Sequence, residues 1–481
     1  MRDPNPNTHD LWARESLRLL GPDPGNWVPD RPGIDHNVLI VGGGHTGVAL
    51  AYGLRRAGVG RVSVIDQADG PKTAGVWRSV ARMHKLRTLK NLVGPEGSNP
   101  ALSFQAWYEA RHGRDAYAAI DRIARIDWAD YVDWYRGIVG VEVRYGTTLS
   151  RIVPQESGLR LELIANGKVQ SETARKVVLA TGFLGGGSVY VPPVLSKLPA
   201  THLQHTSQQI DFAALSGKRV AVVGAAASAF DAAAVALEEG AAAVHLFSRR
   251  RALAATAVNK ARAYPGAYDH FPRLPDAIRW QQALRYRRSG TTAPADSIER
   301  VVIFPNFHVH LDSPLTSAEF EQGQALLVVG NDTFRFDFVI AATGYAVDPA
   351  LRPELAGFSD HILRWRDRYA PPESERDDEL GRYPYLGPGL ELRELTPGAA
   401  PWLKDIHIYN PAAFIDRGIP VGDVPSMRRD LPAVAARISE DLFLADLDAH
   451  KIRFNTTITP DFDEHLYASA IWRPAPSEAA E

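Results

Sequence analysis

NVLIVGGGHTGVALAYGLRRAG, residues 37–58, followed by RVSVID, residues 61–66, is the stretch on which the fold turns. An apolar run of strand length passes into three glycines, then into a segment with apolar residues at helical spacing, then into a second short apolar run. That order is one strand–loop–helix–strand unit, and its glycines have a specific spacing. Gly42, Gly44 and Gly47 form GxGxxG at the turn, with His45 and Thr46 between them at the helix start, and Asp66 closes the second strand. Each part has a physical task. Gly42 permits the tight turn, Gly44 lets backbone N–H groups approach a pyrophosphate, Gly47 lets helix pack on strand, and Asp66 accepts from a ribose hydroxyl.

A second unit runs through RVAVV (219–223), GAAASA (224–229), FDAAAVALEEG (230–240) and AVHLFSR (243–249). It keeps Gly224 but has Ala226 and Ala229 where the first unit has glycines, with Ser228 beside them. Its second strand ends in Ser248, Arg249, Arg250 and Arg251 instead of an acid. A carboxylate there repels a ribose 2'-phosphate, whereas guanidinium groups clamp one, so this unit favours NADPH over NADH. Two further strands end alike, KVVLATG with Thr181 and Gly182, and DFVIAATGY with Thr343 and Gly344, where small residues let the chain turn away beside a bound cofactor. Together these features match two-dinucleotide flavoproteins, one site holding FAD and the other NADP(H).

The predicted fold is therefore α/β, with two Rossmann-like dinucleotide-binding domains and an antiparallel β-meander insertion formed by VEVRYG (141–146), LSRIVP (149–154) and LRLELIANGKVQ (159–170), turning at Asn166–Gly167. The expected division is 1–200 for the FAD domain, 201–348 for the NADP domain, and 349–481 for a carboxy-terminal part that returns to the first. Residues 1–35 read as a helix over Asp10–Leu20 and a Pro/Gly-rich arm packed on the first domain.

Composition narrows the chemistry. The 481 residues contain no cysteine, which excludes disulfides, thiolate metal sites and thiol nucleophiles and leaves redox chemistry to a bound cofactor. A net charge of -2 offers no basic field for nucleic acid or an anionic membrane. Acids and asparagines in the first twenty residues do not suit an export signal, and the most apolar long stretch, 220–247, is broken by charges and glycines. A soluble, cytoplasmic protein is expected, acting on a small-molecule substrate and O2, with self-association left open.

The order GGGHTG, Asp66, GVWR (Gly75–Arg78, including Trp77), the first ATG, His205 in HTSQ, the second unit and the second ATG resembles class B flavoprotein monooxygenases, over residues 36–350. That superfamily comprises flavin-containing, Baeyer–Villiger and lysine/ornithine N-hydroxylating enzymes. The segment LKNLVGPEGSNPALSFQAWYEA (89–110), followed by ARIDWADYVDWY (124–135), is similar to the N-hydroxylases' LKDLV, SPFSF and EFxxYxxW stretches. This likeness implies that Lys90 approaches the substrate near the flavin. Ahead of His205 the Baeyer–Villiger FxG is replaced by LPA, which puts oxidation of a ketone second. The layout also resembles bacterial flavoprotein urate hydroxylases.

What the resemblance implies is an NADPH-dependent flavin monooxygenase. Reduction of FAD and addition of O2 at C4a give a (hydro)peroxyflavin that hydroxylates a small polar, nitrogen-containing substrate, an amine, amino acid or urate-like heterocycle. A redox sensor that binds FAD without turnover is the alternative from another class. Of the cationic stretch Arg82, Lys85, Arg87 and Lys90, Lys90 is the candidate for an anionic substrate group; Asn91 and Asn259 are candidates for bonding a flavin edge or a peroxide. Gly75 and Trp77 belong with the flavin loop, and Asp416, after the expected strand IHIYNPA, is expected at the flavin's ring end. His308 and His310 share a strand face but lack a third ligand, so a structural pair is expected and no metal.

Overall fold

In the computed structural model, which describes residues 5–473, Val38, Leu39 and Ile40 are wholly buried, and that two-faced burial makes His36–Val41 an inner strand. It pairs in parallel with Val62–Ile65 on one side and with the second half of Lys168–Leu179 on the other, Leu39 opposite Val177 and Val41 opposite Leu179. The sheet continues outward through Gly158–Ala165 to Thr147–Gln155, both antiparallel, and Ile406–His407 adds a further parallel strand beside Lys168–Leu179. The long strand thus serves a parallel sheet at one end and a meander at the other. Its hairpin turns at Asn166 and Gly167, both with positive φ, as a two-residue primed turn requires.

The meander departs from expectation at its start. VEVRYG is not one of its strands; a single parallel bridge joins Arg144 to Ile65. The amides there serve the end of Val62–Ile65, Arg144 donating to Val64 and Asp66 to Arg144, so the meander begins only at Thr147. The amino-terminal helix also starts earlier than expected, spanning Pro6–Leu19, because the Asn5 side chain caps the Thr8 amide and Pro6 suits the first turn. The arm after it packs on the first unit, where the Trp27 indole donates to the Ala57 carbonyl at 2.8 Å.

The second sheet is all parallel, in the order Phe307–His310, Ala243–Phe247, Arg219–Val223, Phe338–Ala341, Leu203–His205. Its helix Ala227–Glu238 buries Ala229, Ala232, Ala233 and Ala236 completely, and these small side chains permit close contact with the strands. A three-stranded antiparallel sheet over 315–336 covers one face. His310 Nε2 lies 2.9 Å from His245 Nδ1, with the His308 ring tilted against His245 and Phe247, Phe334 and Phe336 around them. Burial, then repulsion from His308, pushes His245 down to about 4. Among the described residues no cluster suits a metal ion, and no helix is long and apolar enough to cross a membrane.

Just after the two ATG turns, Gly187–Val189 and Tyr345–Val347 pair antiparallel and join the units. The chain beyond then contributes Leu355, Phe358, Leu390, Ile408 and Ile438 to the first core. Within this part lies Asp416, the residue expected at the flavin's ring end. Its carboxylate is buried, bonded to Arg279 at 3.1 Å and to the Trp365 indole at 3.3 Å, while Arg279 also reaches Asp276 and the Tyr385 hydroxyl. Burial, opposed chiefly by Arg279, pushes Asp416 up to about 7. This network holds the helix Asp276–Ser289 to the carboxy-terminal part.

Arg279→Met leaves that carboxylate without its cation and is expected to cost about 3–5 kcal/mol in denaturant unfolding, most of it recovered by adding Asp416→Leu. Equal stability of Arg279→Met and wild type would contradict the assigned role.

Candidate functional site

The turn of the first unit is fixed by one close approach. A Cβ on Gly42, whose φ is +114°, would stand 2.2 Å from the Ala180 carbonyl oxygen at the end of the first ATG strand. Only glycine fits there. The second unit repeats the arrangement, with Gly224 at φ +128° and its ideal Cβ 2.2 Å from the carbonyl of Ala342, the alanine of the second ATG. At the third position the units differ. A Cβ on Gly47 would meet the Gly42 carbonyl at 1.9 Å, whereas Ala229 is accommodated, fully buried.

Both helices that follow, His45–Arg56 and Ala227–Glu238, lack a side-chain cap at Gly44 and Ala226. Their first amides are therefore free for an anion, and the helix dipole favours negative charge there. Gly44 has nothing within 4 Å of an added Cβ, and Ser228 is exposed in the second loop. Gly43, Gly44, His45, Gly75, Trp77 and Arg78 line one niche, with Trp77 beside the His45 ring. Asp66 turns into the same loop, accepting from the Gly43 amide at 2.7 Å and the Ala68 amide at 2.8 Å. These residues fit a dinucleotide: open backbone amides for its phosphates and a carboxylate at the adjacent strand end for a ribose.

In the second unit the arginines divide. Arg250 donates to the carbonyls of Arg287 and Arg288, and Ser248 is buried, its hydroxyl accepting from the Arg250 amide. Arg250 is thus tied to the end of Asp276–Ser289. Arg249 is exposed and unpaired among the described residues, and Arg251 lies 3.6 Å from Asp312. Near the two ATG turns, Thr181 accepts from buried Asn410, and Thr343 donates to the Tyr190 carbonyl; Gly182 and Gly344 both have positive φ. Beyond them Phe183 stacks on Tyr345, which also meets the edge of His205.

The carboxy-terminal part closes over the first loop. His45 Nε2 donates to the Gly422 carbonyl at 2.8 Å and Thr46 Oγ1 to the same oxygen at 3.4 Å, while His45 Nδ1 accepts from Trp128. Burial lowers the His45 pKa, which keeps the ring neutral with its proton on Nε2. Gly422 and Asp423 precede the helix Val424–Ala445, so this contact sets that helix end against the start of the first dinucleotide helix.

Lys90, expected near the substrate, is engaged within its own unit. Its ammonium donates to the carbonyls of Tyr117 and Ala118 at 2.6 and 3.2 Å and lies over the Tyr117 ring. Arg87, on the exposed face of the strand Lys85–Leu89, instead reaches across to Thr292 of the second unit. Arg82 crosses as well, bonding the carbonyls of Thr206 and Gln208, and burial lowers it to about 10. Asn91 is exposed and Asn259 half-buried; neither makes a side-chain hydrogen bond among the described residues. Asn410, which holds Thr181, escaped the sequence reading because it stands in no recognisable spacing.

The model of the L-lysine 6-monooxygenase/L-ornithine 5-monooxygenase family matches residues 36–300. An FAD-dependent urate hydroxylase of Xanthomonas campestris pv. campestris is 38% identical over 429 residues, 88% of this chain and 90% of that protein. Among solved structures, the ornithine hydroxylase of Pseudomonas aeruginosa aligns with a TM-score of 0.66 at 19% identity, over 85% of this chain and 99% of that one. The ornithine N-hydroxylase of Kutzneria sp. 744, solved with reduced FAD, NADP+ and L-ornithine, aligns with a TM-score of 0.64 at 16% identity, over 84% and 99%.

Gly44→Val tests the cradle. The extended backbone at Gly44 and the open space around it allow the variant to fold, but its side chain fills the room for phosphate. FAD retained per chain, read from visible absorbance, is expected to fall about tenfold or more, each factor of ten being about 1.4 kcal/mol. Undiminished flavin in a folded variant would place the cofactor elsewhere.

Proposed function

The chain belongs to the L-lysine 6-monooxygenase/L-ornithine 5-monooxygenase family of flavin-dependent monooxygenases, and on that premise we propose that it hydroxylates a urate-like nitrogen heterocycle with NADPH and O2. One oxygen atom enters the substrate, the other leaves as water, and NADPH with one proton supplies the two electrons. The observation that carries the choice of substrate is the 38% identity with a urate hydroxylase along nine-tenths of its length. The orientation of Lys90 supports it. An ammonium engaged by two backbone carbonyls has less to offer an amino-acid carboxylate.

The residues divide the work. The first loop, with Gly42, Gly44, Gly47 and Asp66, holds FAD; the second, with Gly224, Ala226, Ser228 and Arg249, holds NADPH. Bound FAD supplies the hydride-accepting and oxygen-activating chemistry. Around it the chain's task is to exclude water and orient. Phe183 and Tyr345 form an aromatic layer between the two ATG turns, while Asn91 and Asn259 offer amides for a flavin or substrate edge. Neutral His45 keeps the Gly422 carbonyl in place without adding charge beside the flavin phosphates.

The function is tested by NADPH consumption and peroxide release measured together on urate, xanthine, L-ornithine, L-lysine and a cyclic ketone. Urate is expected to accelerate consumption without a matching rise in peroxide. Coupled turnover of L-ornithine or L-lysine alone would return the chain to N-hydroxylation. For the reductant, Arg249→Ala is expected to raise the KM for NADPH by about 10- to 150-fold and leave that for NADH unchanged, as loss of a charge-assisted bond worth about 1.5–3 kcal/mol implies. Equal effects on both nucleotides would contradict the assignment.

A further inference from the structure

From Lys451 to Arg473 every residue is exposed. The stretch is not composed like a solvated tail, which is rich in charge and poor in large apolar side chains. Leu466 is 79% and Trp472 82% exposed, and Ile458, Phe462, Tyr467 and Ile471 lie open with them. It has a shape of its own. The Asp463 carboxylate accepts from the His465 amide at 2.9 Å, short 3-10 turns cover Glu464–Leu466 and Ala468–Ala470, and the Phe462 and Tyr467 rings meet edge to face. Its root is fixed to the first unit, where the buried His450 ring packs on Phe443 and Trp27 and Arg453 donates to the Trp27 carbonyl at 3.5 Å.

A second surface is left in the same condition. The helix Pro6–Leu19 buries His9 and Ala13, while Leu11, Trp12 and Leu19 share a face turned away from them, Leu11 68% and Leu19 70% exposed. Arg14 and Arg18 flank this face. Arg14 enters no ion pair among the described residues, and Arg18 pairs with Glu15 on its own helix. The tail carries the opposite sign, with Asp461, Asp463 and Glu464 against Arg473. Within one chain neither surface covers the other, since both are exposed together.

We propose that the tail over 455–473 docks on the amino-terminal helix of a second copy of this chain, its apolar side chains covering Leu11, Trp12 and Leu19 and its acids facing Arg14 and Arg18. Each copy gives one tail and receives one, so the contact closes as a two-fold pair and leaves no open end. The area is sufficient. Six large apolar side chains offer on the order of 800 Å² per tail, and two exchanged tails on the order of 1,600 Å², the size of a specific interface. The match of sign between tail and helix selects the chain itself as the partner. The inference stands apart from the choice of substrate, since neither surface belongs to the cofactor loops.

The experiment joins sedimentation of the FAD-loaded full chain with cross-linking. Wild type is expected to sediment at twice the 52.7 kDa chain mass. Leu466→Ser combined with Trp472→Ser is expected to weaken the pair by about thirtyfold or more, as loss of buried anchors does, with FAD content unchanged. Because the chain has no cysteine, introduced thiols report the contact without background. Leu19→Cys combined with Leu466→Cys, treated with a short bismaleimide, is expected to give a covalent dimer on denaturing electrophoresis, and each single variant to give none. A wild type that stays monomeric at micromolar concentration leaves the tail to another partner and overturns the proposal. So does a dimer that survives the serine substitutions, a double variant that links only within one chain or not at all, or a covalent dimer from Leu466→Cys alone, which would mean that tail meets tail. Should the serine variant fail to fold, the cysteine series decides.

Discussion

The carbonyl of Gly422 is the point on which the arrangement of the site depends. It accepts from His45 and Thr46, the first two residues of the first dinucleotide helix, although nearly 380 residues of chain lie between. The contact works only with a neutral imidazole carrying its proton on Nε2, and burial provides that state. Through it the amino end of the helix Val424–Ala445 is fixed beside the glycine loop. The carboxy-terminal part is in turn held by buried charge: Asp446 between Arg31 and Arg175, and Asp416 against Arg279. Isolated, such groups would be a liability; fully bonded, they pin distant segments to one geometry.

The two dinucleotide units show how one backbone solution is put to two uses. In both, the first glycine is pressed against the carbonyl of a strand that ends in ATG, and in both the following helix is left uncapped. They diverge at the end of the second strand. Asp66 bonds back to the loop it serves, while Arg249 is exposed and has no side-chain partner among the described residues. The cleft between them is crossed by guanidinium groups, Arg82 and Arg87 from the first unit, which reach the backbone of the second.

Much of this was legible from the chain alone, for a physical reason. A glycine forced by a 2.2 Å approach leaves a mark at a fixed position, and a doubly buried strand leaves an unbroken apolar run, so the two units and the long hairpin at Asn166–Gly167 were readable. Positions whose role depends on partners far along the chain were not. Asp416 follows a strand as a cofactor residue would, yet its surroundings are Arg279 and Trp365, 137 and 51 residues away in sequence. Arg250 reads like Arg249 but meets the carbonyls of a helix end. Lys90 stands in a motif-like stretch, and only the placement of Tyr117 and Ala118 decides where its ammonium points.

The central claim, that two cofactor loops act together to place one oxygen atom on a nitrogen heterocycle, is tested most directly by isotope labelling. The FAD-loaded protein is given NADPH, urate and heavy-isotope O2 in ordinary water, and the product's mass is measured after rapid quenching. The account predicts one labelled oxygen per hydroxylated product and one NADPH consumed for each. Product labelled only from water, or NADPH consumed entirely to peroxide with urate unchanged, would contradict it.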